Sequence, residues 1–410
     1  MINLPAAIAN HREGHLVFDR ELGRLMAVHR LGAIEGAIFY AGRVLEGLCG
    51  IALGRAHVDT RPTALAGLES LQDLAFAPMP TLWWGHVLRR LGNVGRHLRG
   101  ELADVDADIA VAVIELWLHW YFVDFSIGPR IVQLRPQGIS LGAPPSARAV
   151  VQASTGTPAE LEAAAHALCD GPQALRAAAQ AAVMADLLIA QGKRPLAERV
   201  LQIGLAQYPE DLRLLQLKAL ALSRGSDRKK LEEALASLEA LAHRFEDAET
   251  LGILAGAYKR RSDPNVADDW LAKAHRKYAA GFRIDKKSTY LGINTAATAL
   301  WLGHNRISTE VAHSVYALQN ARLARRAAAA ADLPPPEFWA EVTLAEAALL
   351  LGRLDEAGGL YASALATHPL EVGSHQVALA QARRHLKELG SNPSLADGWA
   401  ARATTTVEAT

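Results

Sequence analysis

Two stretches far apart in the chain, QGKRPLAERVLQIGLAQYP (Gln191–Pro209) and LGRLDEAGGLYASALATHP (Leu351–Pro369), follow one grammar. Each has a glycine placed to end one helix, an alanine at the close contact of a second, and an aromatic or histidine followed by proline where that second helix stops. A helical pair of this kind cannot bury its apolar face alone, so the pattern demands neighbours stacked against it. Helical spacing also runs through the first half. Ile34, Ile38, Ala41, Leu45, Leu48 and Ala52 follow one another at steps of three and four, which line one helix face. Val105, Ile109, Ala112 and Leu116 repeat the pattern behind Asp104, Asp106 and Asp108, carboxylates that favour a helix start. No stretch alternates at the two-residue period of a strand. The chain reads as all-α, an N-terminal helical bundle followed by an α-solenoid.

The 410 residues suffice for two or three domains. Half of them are hydrophobic and 21% charged, which excludes wholesale disorder. The 43 basic residues balance 43 acidic ones, so no global field argues for general nucleic-acid or membrane binding. Cys49 and Cys169 are the only cysteines; they cannot form a disulfide scaffold and suit a reducing compartment. The N-terminus lacks a signal pattern, and the apolar run Ile109–Val123 is too short for a bilayer and contains Glu115 and His119. These features predict a cytoplasmic protein without a membrane span. The Pro- and Gly-rich stretch Gly128–Pro145 interrupts the helical period. The expected organisation is a bundle over 1–130, a linker over 131–150, about five helical pairs over 151–390, and a flexible tail over 391–410. A second break falls at LPPPE, Leu333–Glu337.

The paired stretches resemble tetratricopeptide repeats, so the solenoid is expected to be tetratricopeptide-like. Between them, Ala257–Gly303 carries Tyr258–Lys259, a KAxxxYxxGF helix end at Lys273–Phe282 and a YxGIN turn at Tyr290–Asn294. This is similar to the TRAF-binding region of apoptosis-signal-regulating kinases, over roughly residues 155–370 and without the kinase domain. Bacterial relatives of that region accompany stress and immunity effectors and are thought to recognise nucleotide-derived signals. In the first half, EGAIFYAGRVLEGLCG (Glu35–Gly50), LRRLGNVGRH (Leu88–His97) and an apolar helix ending LWLHWYF resemble the HEPN-like helical family, over roughly residues 20–125. Gly42 stands where that family commonly has an arginine beside Arg43.

Two candidate sites follow. Active HEPN proteins use an Arg-x4–6-His pair as a metal-independent ribonuclease where two protomers meet. Here Arg90 and His97 lie two helical turns apart with Asn93 near the same stripe. His97 would transfer protons and Arg90 would stabilise charge on the phosphorus oxygens; the bland alternative is that Asn93 and His97 only pack and hydrogen-bond. The second candidate is the basic segment Tyr258–Lys287. Lys259, Arg260, Arg261 and Lys277, with Tyr290 and Asn294, suit a phosphate-bearing ligand. Its bland alternative is a solvated helix face, with Asn294 as a cap. The leading expectation is a signalling scaffold whose repeats bind a protein partner or a nucleotide-like ligand and whose first domain forms a homodimer. The alternative is an endoribonuclease acting on RNA and gated by the repeats. No cofactor motif is present: there is no GxGxxG, Walker loop or GxSxG. His11 and His15, four apart, lack an identifiable third metal ligand.

Overall fold

The computed structural model of the chain describes residues 15–58, 63–97, 102–129, 131, 139–171, 177–225, 227–262, 269–329, 336–369 and 372–407. Among these every regular element is a helix. The chain divides into two contact units, one of Met1–Ala221 with Arg326–Leu333, the other of Leu222–Arg325 with Pro334–Thr410.

The first unit is built around α2 (Ile34–Arg55), which packs against α1 (His15–Arg30), α3 (Ala64–Asp73), α4 (Met79–His97) and α5 (Asp104–His119). The three- and four-residue spacing of Ile38, Ala41, Leu45, Leu48 and Ala52 puts all five at zero or near-zero exposure. Helix α2 is long and apolar enough to cross a membrane, but that stripe is occupied by the core of the unit. Thr63 caps α3 by accepting the Ala66 N–H at 3.2 Å. Helix α5 ends in a π-helical turn, Trp120–Asp124, beneath which Trp117, Trp120 and Phe125 pack ring against ring. Trp84 is fully buried and donates its indole N–H to Ser154 Oγ at 2.6 Å. The same continuous core extends through α6 (Pro145–Ala153), α7 (Pro158–Asp170) and the hairpin α8 (Ala178–Ala190)–α9 (Arg194–Gln207).

That continuity corrects the linker expected over 131–150. Residues 130 and 132–138 lie outside the described residues, but Ile131, Ile139, Leu141 and Ala143 are buried in the core of the first unit. The anchor is Glu115, a buried carboxylate on α5. It accepts the Leu141 N–H at 2.5 Å, the Ala143 N–H at 3.3 Å and Arg148 Nε at 2.6 Å. A buried carboxylate must be met by donors, and here the irregular backbone supplies them. The prolines prevent a helix without preventing burial.

The rest of the chain continues as helical hairpins: α10 (Leu212–Ser223) and α11 (Arg228–Arg244), α12 (Ala248–Arg261) and α13 (Trp270–Ile284), α14 (Thr289–Trp301) and α15 (Asn305–Ala329), α16 (Phe338–Leu350) and α17 (Leu354–Thr367), α18 (Val372–Glu388) and α19 (Leu395–Val407). With α8–α9 these make six tetratricopeptide-like hairpins among the described residues. The shared grammar is realised as expected. Gly192 and Gly352 both adopt φ +75°, the left-handed conformation that ends a first helix, while Ala197 and Ala357 are fully buried at the helix–helix contact. First helices carry most of the burial: on α14 every residue from Leu291 to Leu300 is buried.

The tail expected to be flexible supplies α19, the second helix of a sixth hairpin, so the count exceeds five. Trp399, 3% exposed, stacks on Tyr361 with ring centroids 5.2 Å apart and planes 9° apart. Gly358 makes room, since a Cβ there would come within 2.5 Å of Trp399 Nε1. One tryptophan with Ala396 and Ala403 on its stripe is enough to dock a short polar helix.

Two stability outcomes follow. Glu115→Ala strands two backbone donors and Arg148, and should lower stability by about 3 kcal/mol in urea unfolding followed by circular dichroism. Trp399→Ala should cost about 3 kcal/mol through the cavity it leaves, read as loss of α19 protection in amide hydrogen exchange.

Candidate ligand-binding site

In the second unit, the polar side chains that sequence alone would scatter over four hairpins meet on their first helices. Lys259 lies in the last turn of α12 and points its ammonium at α14, where Asn294 Oδ1 accepts from it at 2.7 Å. Asn294 is 5% exposed, and its amide is oriented by donation from Nδ2 to the Tyr290 carbonyl at 2.9 Å. Lys259 Nζ also lies 5.8 Å from the ring centroids of both Tyr278 and Trp301. Trp301 donates its indole N–H to His385 Nδ1 at 3.2 Å, and its ring stacks on the same imidazole at 5.5 Å. The imidazole, fully buried on α18, passes a proton contact on to Glu346 of α16 at 2.8 Å. Because Nδ1 accepts from tryptophan, the ring carries its hydrogen on Nε2 and donates to the carboxylate. Gln381 Nε2 donates to the same Glu346 oxygen at 2.5 Å. Arg384, next to His385, lays its guanidinium over Trp301 at 3.6 Å.

The electrostatics follow from this geometry. Desolvation lowers the Lys259 pKa to about 8; Arg260 and Arg384 push in the same direction, while Glu346 opposes them. Arg260 retains solvent exposure, while desolvation at its guanidinium lowers its pKa, with Tyr278 and Tyr290 opposing and Arg224 adding to the shift. Its Nε and Nη2 donate to the Ser223 carbonyl and hydroxyl at 2.9 and 2.8 Å. Burial raises the Tyr278 pKa well above the usual phenol value, with Tyr290 adding to the effect. The two hydroxyls are 3.5 Å apart, and Tyr290 is 55% exposed. The result is three cations beside three aromatic rings, with a buried carboxylate beneath, and one ammonium of which Asn294 occupies a single donor.

Of the residues singled out in the sequence, Lys259, Arg260, Tyr290 and Asn294 are brought together. Tyr258, Arg261 and Lys277 are not. Tyr258 is buried and donates its hydroxyl to Glu239 at 2.5 Å, which with burial raises its pKa beyond the usual range. Arg261 pairs with Glu232 at 2.6 Å and lies 5.0 Å from the Trp270 ring. Lys277 is one turn beyond Lys273, whose ammonium caps the Trp270 ring at 4.1 Å. Tyr258 and Arg261 are held instead between the α11 carboxylates and the Trp270 ring of α13. Sequence reasoning missed Trp301, Glu346, Gln381, Arg384 and His385. The available signal was Gln381, Arg384 and His385 at helical spacing on α18, but a polar helix near the end of a chain looks like solvent-facing surface.

In the first unit, α4 places Arg90 and Asn93 on exposed surface. His97 is the last residue of α4; its side chain, and residues 98–101, lie outside the described residues. Arg90 keeps solvent contact, yet the atoms crowding its guanidinium lower its pKa, with Arg213 and Arg89 acting alongside and Asp211 and Asp186 opposing. Arg213 pairs with Asp186 at 2.6 Å. Arg90 thus shares a mixed-charge neighbourhood with the first repeat hairpins. His86, one turn before it, is held to about 4 by burial and by Arg89 and Arg90, so it is neutral at neutral pH. His11 also lies outside the described residues, and among the described ones no three His, Cys, Asp or Glu side chains form a metal-binding group.

A family model described as Tetratricopeptide Repeats-Sensor matches residues 190–300. Among solved structures, the thermophilic tetratricopeptide-repeat protein TTC0263 of Thermus thermophilus is 20% identical with a TM-score of 0.38, over 52% of this chain and 99% of that one. The Cut9–Hcn1 hetero-tetramer of the APC/C is 13% identical with a TM-score of 0.40, over 95% of this chain and 76% of that one. No curated protein sequence matches the chain.

The Lys259 environment has a measurable signature. Its folded pKa near 8 lies below the ordinary lysine value of 10.5, so between those values the unfolded chain binds more protons and stability rises with pH. Urea unfolding from pH 7 to pH 10 should show wild type gaining on the order of 2 kcal/mol relative to Lys259→Met.

Proposed function

We propose that the second unit is a receptor for a phosphate-bearing, nucleotide-like ligand, and that the protein is a cytoplasmic signalling scaffold rather than an enzyme. The observation that carries this reading is the convergence of Lys259, Arg260 and Arg384 on Tyr278, Tyr290 and Trp301. Guanidinium and ammonium groups supply the donors that phosphate oxygens accept, and exposed ring surface suits a planar base. A desolvated lysine with unused donors gains more from an arriving anion than a fully hydrated one does. The match to a sensor-type repeat model over residues 190–300 supports the same reading, because it spans both Lys259 and Asn294.

Tetratricopeptide hairpins otherwise suit the capture of a protein segment, which is the coarser role this architecture supports. A small anionic ligand is preferred because the polar groups lie on the tightly packed first helices, within a few ångströms of one another. In this reading the first unit forms a homodimer and relays occupancy. The mixed charges around Arg90 give the nuclease alternative no support.

The test is thermal shift of the full chain with ATP and with ADP-ribose. At least one should raise Tm, and Lys259→Met and Arg384→Met should each abolish the rise while Tm without ligand stays within a few degrees. Shifts that are equal in wild type and both variants would remove the site from consideration.

A further inference from the structure

The first unit contains a cavity of 210 Å³ between α2 and α4. Its walls are apolar, with Ile38 and Leu45 from α2 facing Leu88 from α4 and Leu102. Two glycines hold it open: a Cβ built on Gly42 or on Gly92 would meet no atom within 4 Å. Arg89 also lines the cavity, and its Nε is buried with no hydrogen-bond partner. A buried guanidinium N–H left unpaired costs roughly 1–3 kcal/mol, which an arriving acceptor recovers.

The remaining charges define what that acceptor can be. Glu46 Oε1 already accepts the Ala64 N–H at 3.3 Å, and its other oxygen lies 3.9 Å from Arg43 at the rim. Glu35 is exposed at the mouth. Two carboxylates beside the entrance disfavour a dianion such as phosphate, whereas one negative charge can be met by Arg89 with Arg43 offsetting Glu46. Burial lowers the Arg89 pKa and the Glu69 charge opposes that shift, so the guanidinium keeps its proton.

We propose that this cavity is a binding site for a compact monocarboxylate with an apolar body, its carboxylate on Arg89 Nε and its hydrocarbon between Ile38, Leu45, Leu88 and Leu102. The site lies in the first unit and is independent of the phosphate-bearing ligand proposed for the second.

Isothermal titration calorimetry of the full chain with hexanoate and with hexanamide tests it. Hexanoate should bind saturably, and hexanamide, of the same shape but uncharged, at least about tenfold more weakly. Arg89→Gln should erase that preference. Gly92→Leu fills the open space with a residue that favours helix more than glycine does, so it should fold and take up no hexanoate. Absence of saturable heat with hexanoate, equal binding of the amide, or undiminished binding to Gly92→Leu each overturns the proposal. If Arg89→Gln fails to fold, the cavity-filling variant decides.

Discussion

A carboxylate buried inside a stack of helices has to be met by donors, and Glu346 imposes that condition on the second unit. It is 5% exposed on a first helix that is otherwise almost wholly apolar. His385 and Gln381 reach it from α18, and Trp301 holds the imidazole from behind. Three consecutive hairpins are therefore tied together by one chain of hydrogen bonds rather than by apolar contact alone. Breaking any link would leave a buried polar group exposed to the full penalty of burial. The same arrangement places a negative charge near Lys259, which keeps an otherwise desolvated ammonium protonated near neutral pH.

The first unit uses the same device for a different end. Glu115 gathers an irregular, proline-rich segment onto the bundle through two backbone amides and Arg148. Each buried carboxylate thus organises a region that apolar patterning does not. One fixes a connection to its bundle, and the other fixes neighbouring hairpins against each other and beside the cation cluster.

Much of this architecture was legible in the sequence, and the reasons are local. Gly192 and Gly352 end helices because glycine tolerates φ +75°, and the alanines that follow are buried because paired helices need small residues at their contact. Lys259 and Asn294 lie on neighbouring first helices, close enough in the chain for a motif to hold both. Arg384, His385 and Glu346 come from later hairpins. Their meeting with Lys259 depends on how the hairpins stack, which no window of sequence reveals. The basic run misled in part for the same reason: Arg261 shares charge and proximity with Lys259 but is turned to Glu232 of α11. The buried stretch around Leu141 was hidden because its prolines erase helical period, and α19 was hidden because a single Trp399 carries most of its docking.

The account stands on Lys259 being a partly desolvated ammonium that an incoming anion can claim. Reductive ¹³C-methylation followed by NMR titration reports this group directly, its resonance assigned by absence in Lys259→Arg. The predicted result is a lysine that titrates near pH 8 in the unliganded protein and at higher pH once tripolyphosphate is added. A resonance with the ordinary lysine value, indifferent to tripolyphosphate, would contradict it.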